Sequence, residues 1–160
     1  GSTIRSPVCG ILTYGADLVV TDSQITTPGA AISGPLGIQV FGGTARITGT
    51  TIESSGTPGA PDEALLLANW FMVDDRAPTA TLEDVDIRAG ASAMRYQTLD
   101  GSTRLTVRRS RLRSGSHTLS LNGPFDAVDL GTPDSPACGC ATAPWRSWPS
   151  LRARSRSGPP

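Results

Sequence analysis

The chain has 160 residues, with 14 basic and 14 acidic side chains and therefore no net charge. This balance argues against nucleic acid or an anionic membrane surface as a partner. Because no apolar run approaches the roughly 18 residues of a transmembrane helix, we expect no membrane insertion. Glycine (18) and proline (13) are abundant, and aromatic residues make up only 5% of the chain. Such a composition favours many short strands joined by turns over long helices.

The cysteines and the common catalytic motifs do not indicate a metal or cofactor site. Cys9 stands alone, and Cys138 and Cys140 form a CxC pair, whereas a structural zinc site takes four ligands in two close pairs. The motifs GxSxG, HExxH and GxxxxGK[ST] are absent. We therefore expect no metal and no cofactor, with Ca²⁺ considered only under the lyase alternative given below.

A short pattern recurs along the chain from residues 16–25 (ADLVVTDSQI) onwards. A strand with alternating apolar residues ends in a bend, an apolar residue follows, and a glycine comes next. The pattern returns after 27, 35 and 25 residues. The apolar positions that we expect to point inwards are Leu18, Val20 and Ile25; Ala45, Ile47 and Ile52; Ala80, Leu82 and Ile87; and Leu105, Val107 and Leu112. A further apolar position follows in three units, at Ile32, Met94 and Leu119.

This period predicts a solenoid. A unit of about 25 residues cannot bury its apolar face alone, so successive units stack and share one core. We expect an all-β, right-handed, single-stranded parallel β-helix of about five coils. Because Gly10 and Ile11 already match Gly37 and Ile38 one coil later, we expect the helix to be truncated at its N-terminus, with neighbouring coils of a longer natural chain before residue 1.

The pattern (L/I/V)xVxxSxI…G…GIxV resembles the parallel β-helix repeats of the pectate-lyase-like (pectin lyase-like) superfamily, in particular its bacterial exported domains of unknown function. Residues 128–136 (VDLGTPDSP) look like the stretch that closes the helix in such domains. The resemblance implies a β-helix domain over residues 1–136 and a secreted or cell-surface location, with the signal outside this sequence. Residues 137–160 are rich in Arg, Ser and Pro without periodicity, so we expect a disordered or loosely packed tail.

The 35-residue unit breaks the repeat, and its surplus falls mostly in residues 54–63 (SSGTPGAPDE). Insertions in a solenoid form loops on one face, which is often the binding face. Residues 69–76 (NWFMVDDR) bring together an aromatic, paired carboxylates and an arginine, a combination that suits sugar stacking and acid–base chemistry on a glycosidic bond. The predicted ligand-binding residues are Trp70, Asp74, Asp75, Arg76, Asp62 and Glu63. The alternative, in which Trp70 fills a wider coil and residues 74–78 form a solvated turn, stays open.

Outward charges of neighbouring coils have opposite signs. The repeat places Glu83, Asp84 and Asp86 beside Arg108, Arg109 and Arg111, and Glu53 beside Arg88. Such pairs would set the register between coils. The alternative is a polar groove for an anionic or polyhydroxylated ligand, formed by Arg108, Arg109, Arg111 and Arg113. An ice-binding face of threonines is disfavoured, because charges replace the stacked Thr21 and Thr48 in later coils.

The enzymes of this superfamily match only in part, so no catalytic residue is assigned. The chain has the Asp-Asp of polygalacturonase-like enzymes but neither their Asn-Thr-Asp nor any lysine, and its single histidine, His117, lies in a Gly-Ser-His-Thr sequence. We expect a non-catalytic structural or surface scaffold with polysaccharide as its candidate partner. A fragment of a polysaccharide lyase or glycoside hydrolase is the alternative, and a trimeric fibre segment is a third class.

Overall fold

A computed structural model describes residues 1–29, 36–56, 62–69, 79–99 and 103–131, and within these residues it contains fifteen strands and no helix. Ile32 and the predicted tail, residues 137–160, lie outside the described residues. The strands are β1 (Thr3–Arg5), β2 (Cys9–Tyr14), β3 (Leu18–Thr21), β4 (Gln24–Pro28), β5 (Leu36–Phe41), β6 (Thr44–Thr48), β7 (Thr51–Ser55), β8 (Glu63–Ala68), β9 (Thr79–Glu83), β10 (Asp86–Ala89), β11 (Ser92–Gln97), β12 (Arg104–Arg108), β13 (Arg111–Ser114), β14 (His117–Asn122) and β15 (Ala127–Asp129).

Every third strand joins the same sheet. Sheet A has the order β1-β4-β7-β10-β13, sheet B the order β2-β5-β8-β11-β14, and sheet C the order β3-β6-β9-β12-β15. Neighbouring strands run parallel throughout these sheets. The described chain is therefore a parallel β-solenoid, as predicted. Five strands in each sheet make about four full turns, close to the predicted five coils, and the right-handed sense stays a prediction.

The register of the sheets confirms the apolar columns expected from the repeat. In sheet C, Val20 pairs with Ile47, and Ile47 pairs with Leu82, which pairs with Val107. In sheet A the corresponding column is Ile25, Ile52, Ile87 and Leu112. All eight side chains are buried in one core cluster shared by the three sheets. Each such side chain contributes about 1.5–3 kcal/mol when fully buried, so like residues stacked on like give a continuous core.

Sheet B contains the part of the core that the sequence left ambiguous. The apolar run in residues 62–71 fits a helix or a strand by periodicity, and the structure forms strand β8 there. Leu65 and Leu67 point into the shared core, while Leu66 and Ala68 pack with Phe41 in a second buried cluster on the opposite face. Because both faces of β8 are buried, its sequence lacks the alternation that identifies a half-exposed strand.

One corner of the solenoid repeats a backbone conformation as well as a pattern. Asp22, Gly49, Asp84 and Arg109 each follow a strand of sheet C and have φ between 46° and 57°. All four are exposed, and of the residues that follow them Thr50, Val85 and Ser110 are buried, whereas Ser23 is partly exposed. The left-handed conformation suits glycine and is tolerated by aspartate, whereas an arginine there is strained.

A hydroxyl stabilises the same corner where the coil provides one. Thr50 Oγ1 donates to the Thr48 carbonyl (2.8 Å) and accepts from the Ser23 amide of the preceding coil (3.4 Å). Ser110 Oγ donates to the Arg108 carbonyl (2.8 Å) and accepts from the Val85 amide (3.1 Å). The hydroxyl therefore adds a bond between adjacent coils, beside the backbone bonds of the flanking residues.

Candidate functional site

The structure places two of the six predicted ligand-binding residues, and the other four, Trp70, Asp74, Asp75 and Arg76, lie outside the described residues. Asp62 is 1% exposed, just before β8. Its Oδ2 accepts hydrogen bonds from the Gly56 amide (3.1 Å) and the Gly90 amide (2.7 Å). One oxygen of Asp62, near the end of the inserted segment, thus binds Gly56 near the start of that segment and Gly90 in the next coil.

Gly90 is required for this contact. A Cβ at position 90 would lie 2.6 Å from Asp62 Oδ2, and the carboxylate cannot move away without losing its bonds to backbone amides. The Gly90 amide also donates to the Ser54 carbonyl (3.2 Å), so it is shared between the two acceptors. The glycine that ends this coil therefore has a packing role that the repeat pattern alone does not explain.

Glu63 is the first residue of β8 and is 6% exposed. Its Oε1 lies 2.7 Å from Arg95 Nη2 on β11, the neighbouring strand of sheet B. Burial raises the pKa of Glu63, and the charge of Arg95 and the hydrogen bond from it act in the opposite direction. Both described carboxylates of the predicted site are thus bonded within the fold, an arrangement that favours a structural role for this pair.

The predicted charge pairs are neighbours, but several choose other partners. The register places Glu83 beside Arg108 and Asp86 beside Arg111, as expected. Arg109 donates to both carboxylate oxygens of Asp84 (2.9 and 2.8 Å), which confirms that pair. Glu83 nevertheless pairs with Arg109 (2.5 Å) and not with Arg108. Long arginine side chains reach diagonal neighbours as easily as directly opposite ones, so register alone does not fix the partner.

Arg108 and Arg88 also bind carboxylates other than the expected ones. Arg108 pairs with Asp129 (2.9 Å), and Arg88 with Asp86 of its own strand (2.7 Å). The hydrogen bond from Arg108 holds the pKa of Asp129 below its ordinary range, and the one from Arg109 does the same for Asp84. Of the predicted arginine groove, Arg108 and Arg109 are neutralised, while Arg111 and Arg113 are exposed and have no ion-pair partner within the described part of the chain.

His117 begins β14 and is exposed. Its Nδ1 lies 2.8 Å from Ser116 Oγ, the hydroxyl of the preceding residue. The contact is local, and no carboxylate is hydrogen-bonded to the ring among the described residues. This arrangement agrees with a role in the turn between β13 and β14.

A cleft that the sequence did not single out lies where β8, β11 and β14 end. It has a volume of about 330 Å³. The described residues that line it are Asn69, Gln97, Thr98, Leu99, Asn122 and Gly123. Gln97 and Asn122 are 25 residues apart and pair directly in the sheet. The recurrence of side-chain amides at the coil period was the signal that could have indicated this cleft from the sequence.

Hydrogen bonds fix one wall of the cleft. Asn69 Nδ2 donates to Thr98 Oγ1 (3.3 Å), and Asn69 Oδ1 accepts from the Leu99 amide (2.8 Å). Thr98 Oγ1 in turn shares a hydrogen bond with Thr103 Oγ1 (2.9 Å). Asn122 Nδ2 donates to Ser120 Oγ (3.2 Å), and its residue is exposed. The cleft therefore has an ordered side, formed by Asn69 and Thr98, and an accessible side, formed by Asn122.

Within the described segments, no three His, Cys, Asp or Glu side chains are grouped closely enough to hold a metal ion. The same segments contain no helix that is long and apolar enough to cross a membrane. Comparisons of the chain with protein-family models, with curated proteins and with solved structures give no significant match.

Proposed function

We propose that this protein is a non-catalytic scaffold, a rigid β-solenoid of a secreted or cell-surface bacterial protein, and that its surface contacts polysaccharide. We further propose that it is related to the pectate-lyase-like superfamily, a relationship that rests on the repeat pattern. The observation that carries the scaffold proposal is the use of Asp62 and Glu63, the acidic pair at the irregular coil. Acid–base chemistry on a sugar needs carboxyl groups that the substrate can reach. Here both carboxyl groups are buried: that of Asp62 accepts from two backbone amides, and that of Glu63 pairs with Arg95.

The regularity of the solenoid supports the same proposal. Three parallel sheets with continuous apolar columns give a stiff body whose outer faces repeat from coil to coil. Stacked repeats of this kind present extended surfaces, which suit an extended polymer. The exposed ion pairs of Arg108 and Arg109 join successive coils, and that of Arg88 lies within one strand. The carboxylates in these pairs neutralise the three arginines.

Binding and turnover should be measured separately. The full chain is applied to a panel of neutral and anionic polysaccharides, with and without Ca²⁺, and the products are assayed as unsaturated uronate and as reducing ends. We expect binding without product. Product that disappears in an Asp74→Asn/Asp75→Asn variant, but persists in an Asp84→Asn control, would overturn the scaffold proposal in favour of a lyase or hydrolase.

A further inference from the structure

We infer that the cleft formed by Asn69, Gln97, Thr98, Leu99, Asn122 and Gly123 is the glycan contact of this protein, and that it takes an uncharged, hydroxyl-rich glycan segment. This inference rests on the proposed function, because it names the site and the chemical class of the polysaccharide. The six residues are not the ligand-binding residues predicted from the sequence.

The chemistry of the lining residues sets the class of ligand. None of the described lining residues carries a charge, and three of them, Asn69, Gln97 and Asn122, have carboxamide side chains. A carboxamide offers a donor and an acceptor side by side, which matches two adjacent hydroxyls of a sugar ring. Because Asn69 already bonds Thr98 and Leu99, this recognition falls to Gln97 and Asn122. An anionic ligand would instead be favoured by a guanidinium. The nearest arginine on this sheet, Arg95, is already paired with Glu63.

The geometry places these groups within reach of one ligand. Gln97 and Asn122 are register partners on adjacent parallel strands, about 4.8 Å apart between backbones. The cleft volume of about 330 Å³ is at the lower end of the range for small-ligand sites, enough for a short saccharide segment. Leu99 is 73% exposed at its rim and provides an apolar surface for the C–H face of a sugar ring.

The wall of the cleft is ordered before any ligand arrives. Asn69 is fixed by two hydrogen bonds, so little side-chain freedom is lost when a sugar contacts it. At the other side, Gly123 has φ of 107°, and a Cβ there would collide with the Thr98 carbonyl. The close approach of the two coils at this point therefore depends on glycine, which keeps Asn122 beside Gln97.

The test is a binding assay with neutral glycans (glucans, mannans, galactans and chitin oligosaccharides) and anionic glycans (polygalacturonate, alginate and heparin). Three forms are compared: the wild type, Gln97→Ala/Asn122→Ala, and the matched control Arg111→Ala/Arg113→Ala, which alters exposed cations on sheet A. We expect the wild type to bind neutral glycans. Affinity should fall about tenfold or more in the amide variant and stay unchanged in the arginine control.

A single substitution, Asn122→Asp, distinguishes a loss of binding from a loss of folding. Asn122 is exposed, and aspartate has nearly the same shape but cannot donate. It should weaken neutral-glycan binding while thermal unfolding stays unchanged. Binding confined to anionic glycans and lost in the arginine variant would overturn this inference but leave the proposed function intact. Binding of neither class would overturn both.

Discussion

Two acidic pairs with similar sequences, Asp62–Glu63 and Glu83–Asp84, have different environments. Asp62 and Glu63 are 1% and 6% exposed, whereas the side chains of Glu83 and Asp84 are 32% and 49% exposed. Arg95 pairs with the first and Arg109 with the second. The comparison shows that an acidic dipeptide next to a strand of a solenoid can be a structural part of the core or a surface charge. Burial decides between them.

The energetic consequence follows from solvation. A buried carboxylate that loses its partner keeps the full penalty of desolvation, whereas an exposed one regains water. Exposed ion pairs are also screened by salt. We therefore expect substitutions around Asp62–Glu63 to destabilise the protein more than equivalent substitutions around Glu83–Asp84.

The largest effect is expected for Arg95→Ala. It removes the partner of buried Glu63 and should destabilise the protein at pH 7 by about 2–3 kcal/mol. That is less than for a fully buried pair, because Arg95 itself is 39% exposed. Chemical denaturation at pH 7 measures the loss, and Arg95→Ala/Glu63→Gln is the control, which should recover most of it.

The same variant has a pH dependence with a defined sign. Burial raises the pKa of Glu63, which means that folding disfavours its charged form relative to the unfolded chain, and removal of Arg95 raises that pKa further. Stability linked to Glu63 is present below its unfolded pKa and is lost as pH rises through the folded pKa. The difference between Arg95→Ala and the wild type should therefore shrink on acidification. An equal difference at pH 7 and pH 4 would contradict a charged, buried Glu63.

A smaller effect is expected for Asp62→Ala, which leaves the amides of Gly56 and Gly90 without their carboxylate acceptor. Because the Gly90 amide keeps the Ser54 carbonyl, the expected loss is about 2 kcal/mol. Asp62→Asn retains an oxygen acceptor and should lose about half as much. Hydrogen exchange at Gly56 and Gly90 provides the local readout. If both variants left exchange at these amides unchanged, Asp62 would not join the two coils.

The smallest effect is expected for Arg109. Arg109→Gly loses exposed ion pairs but relieves a left-handed backbone conformation, so its Tm should change by at most a few degrees. Arg109→Ala loses the same pairs without that relief and should melt at a lower temperature than Arg109→Gly. An Arg109→Gly variant that melts below Arg109→Ala would show that relief of the left-handed backbone at this corner is smaller than the chain entropy that glycine adds to the unfolded state.

The stability contributions of Arg109 and of the buried pair Asp62–Glu63 should respond differently to salt and to acid. The contribution of Arg109 should fall in high salt, and that of Asp62 should not. Arg109 holds the pKa of Asp84 below its ordinary value, so this contribution is present above the unfolded pKa of about 4 and is lost as pH falls through the folded pKa. The signs for Asp84 and Glu63 are thus opposite.

The repeat predicted the apolar columns because burial of like residues in successive coils leaves a direct trace in the sequence. Val20, Ile47 and Leu82 occupy the expected register. The pair of Asp84 and Arg109 formed as predicted. The second partner of Arg109, Glu83, was not predictable, since the register places Glu83 opposite Arg108 and a long side chain can also reach a diagonal neighbour. The cleft at Gln97 and Asn122 was missed because polar residues at strand ends carry no hydrophobic periodicity.

The sequence by itself determined that the chain stacks short strands into a parallel solenoid, because period and alternation follow from which side chains must avoid water. Only the tertiary structure decided that each coil contributes to three sheets and that Asp62 and Glu63 lie inside. It alone brought Gln97 beside Asn122 in a shared cleft. These features depend on where the insertion ends and how coils of unequal length align, and hydrogen-bond geometry across coils settles both.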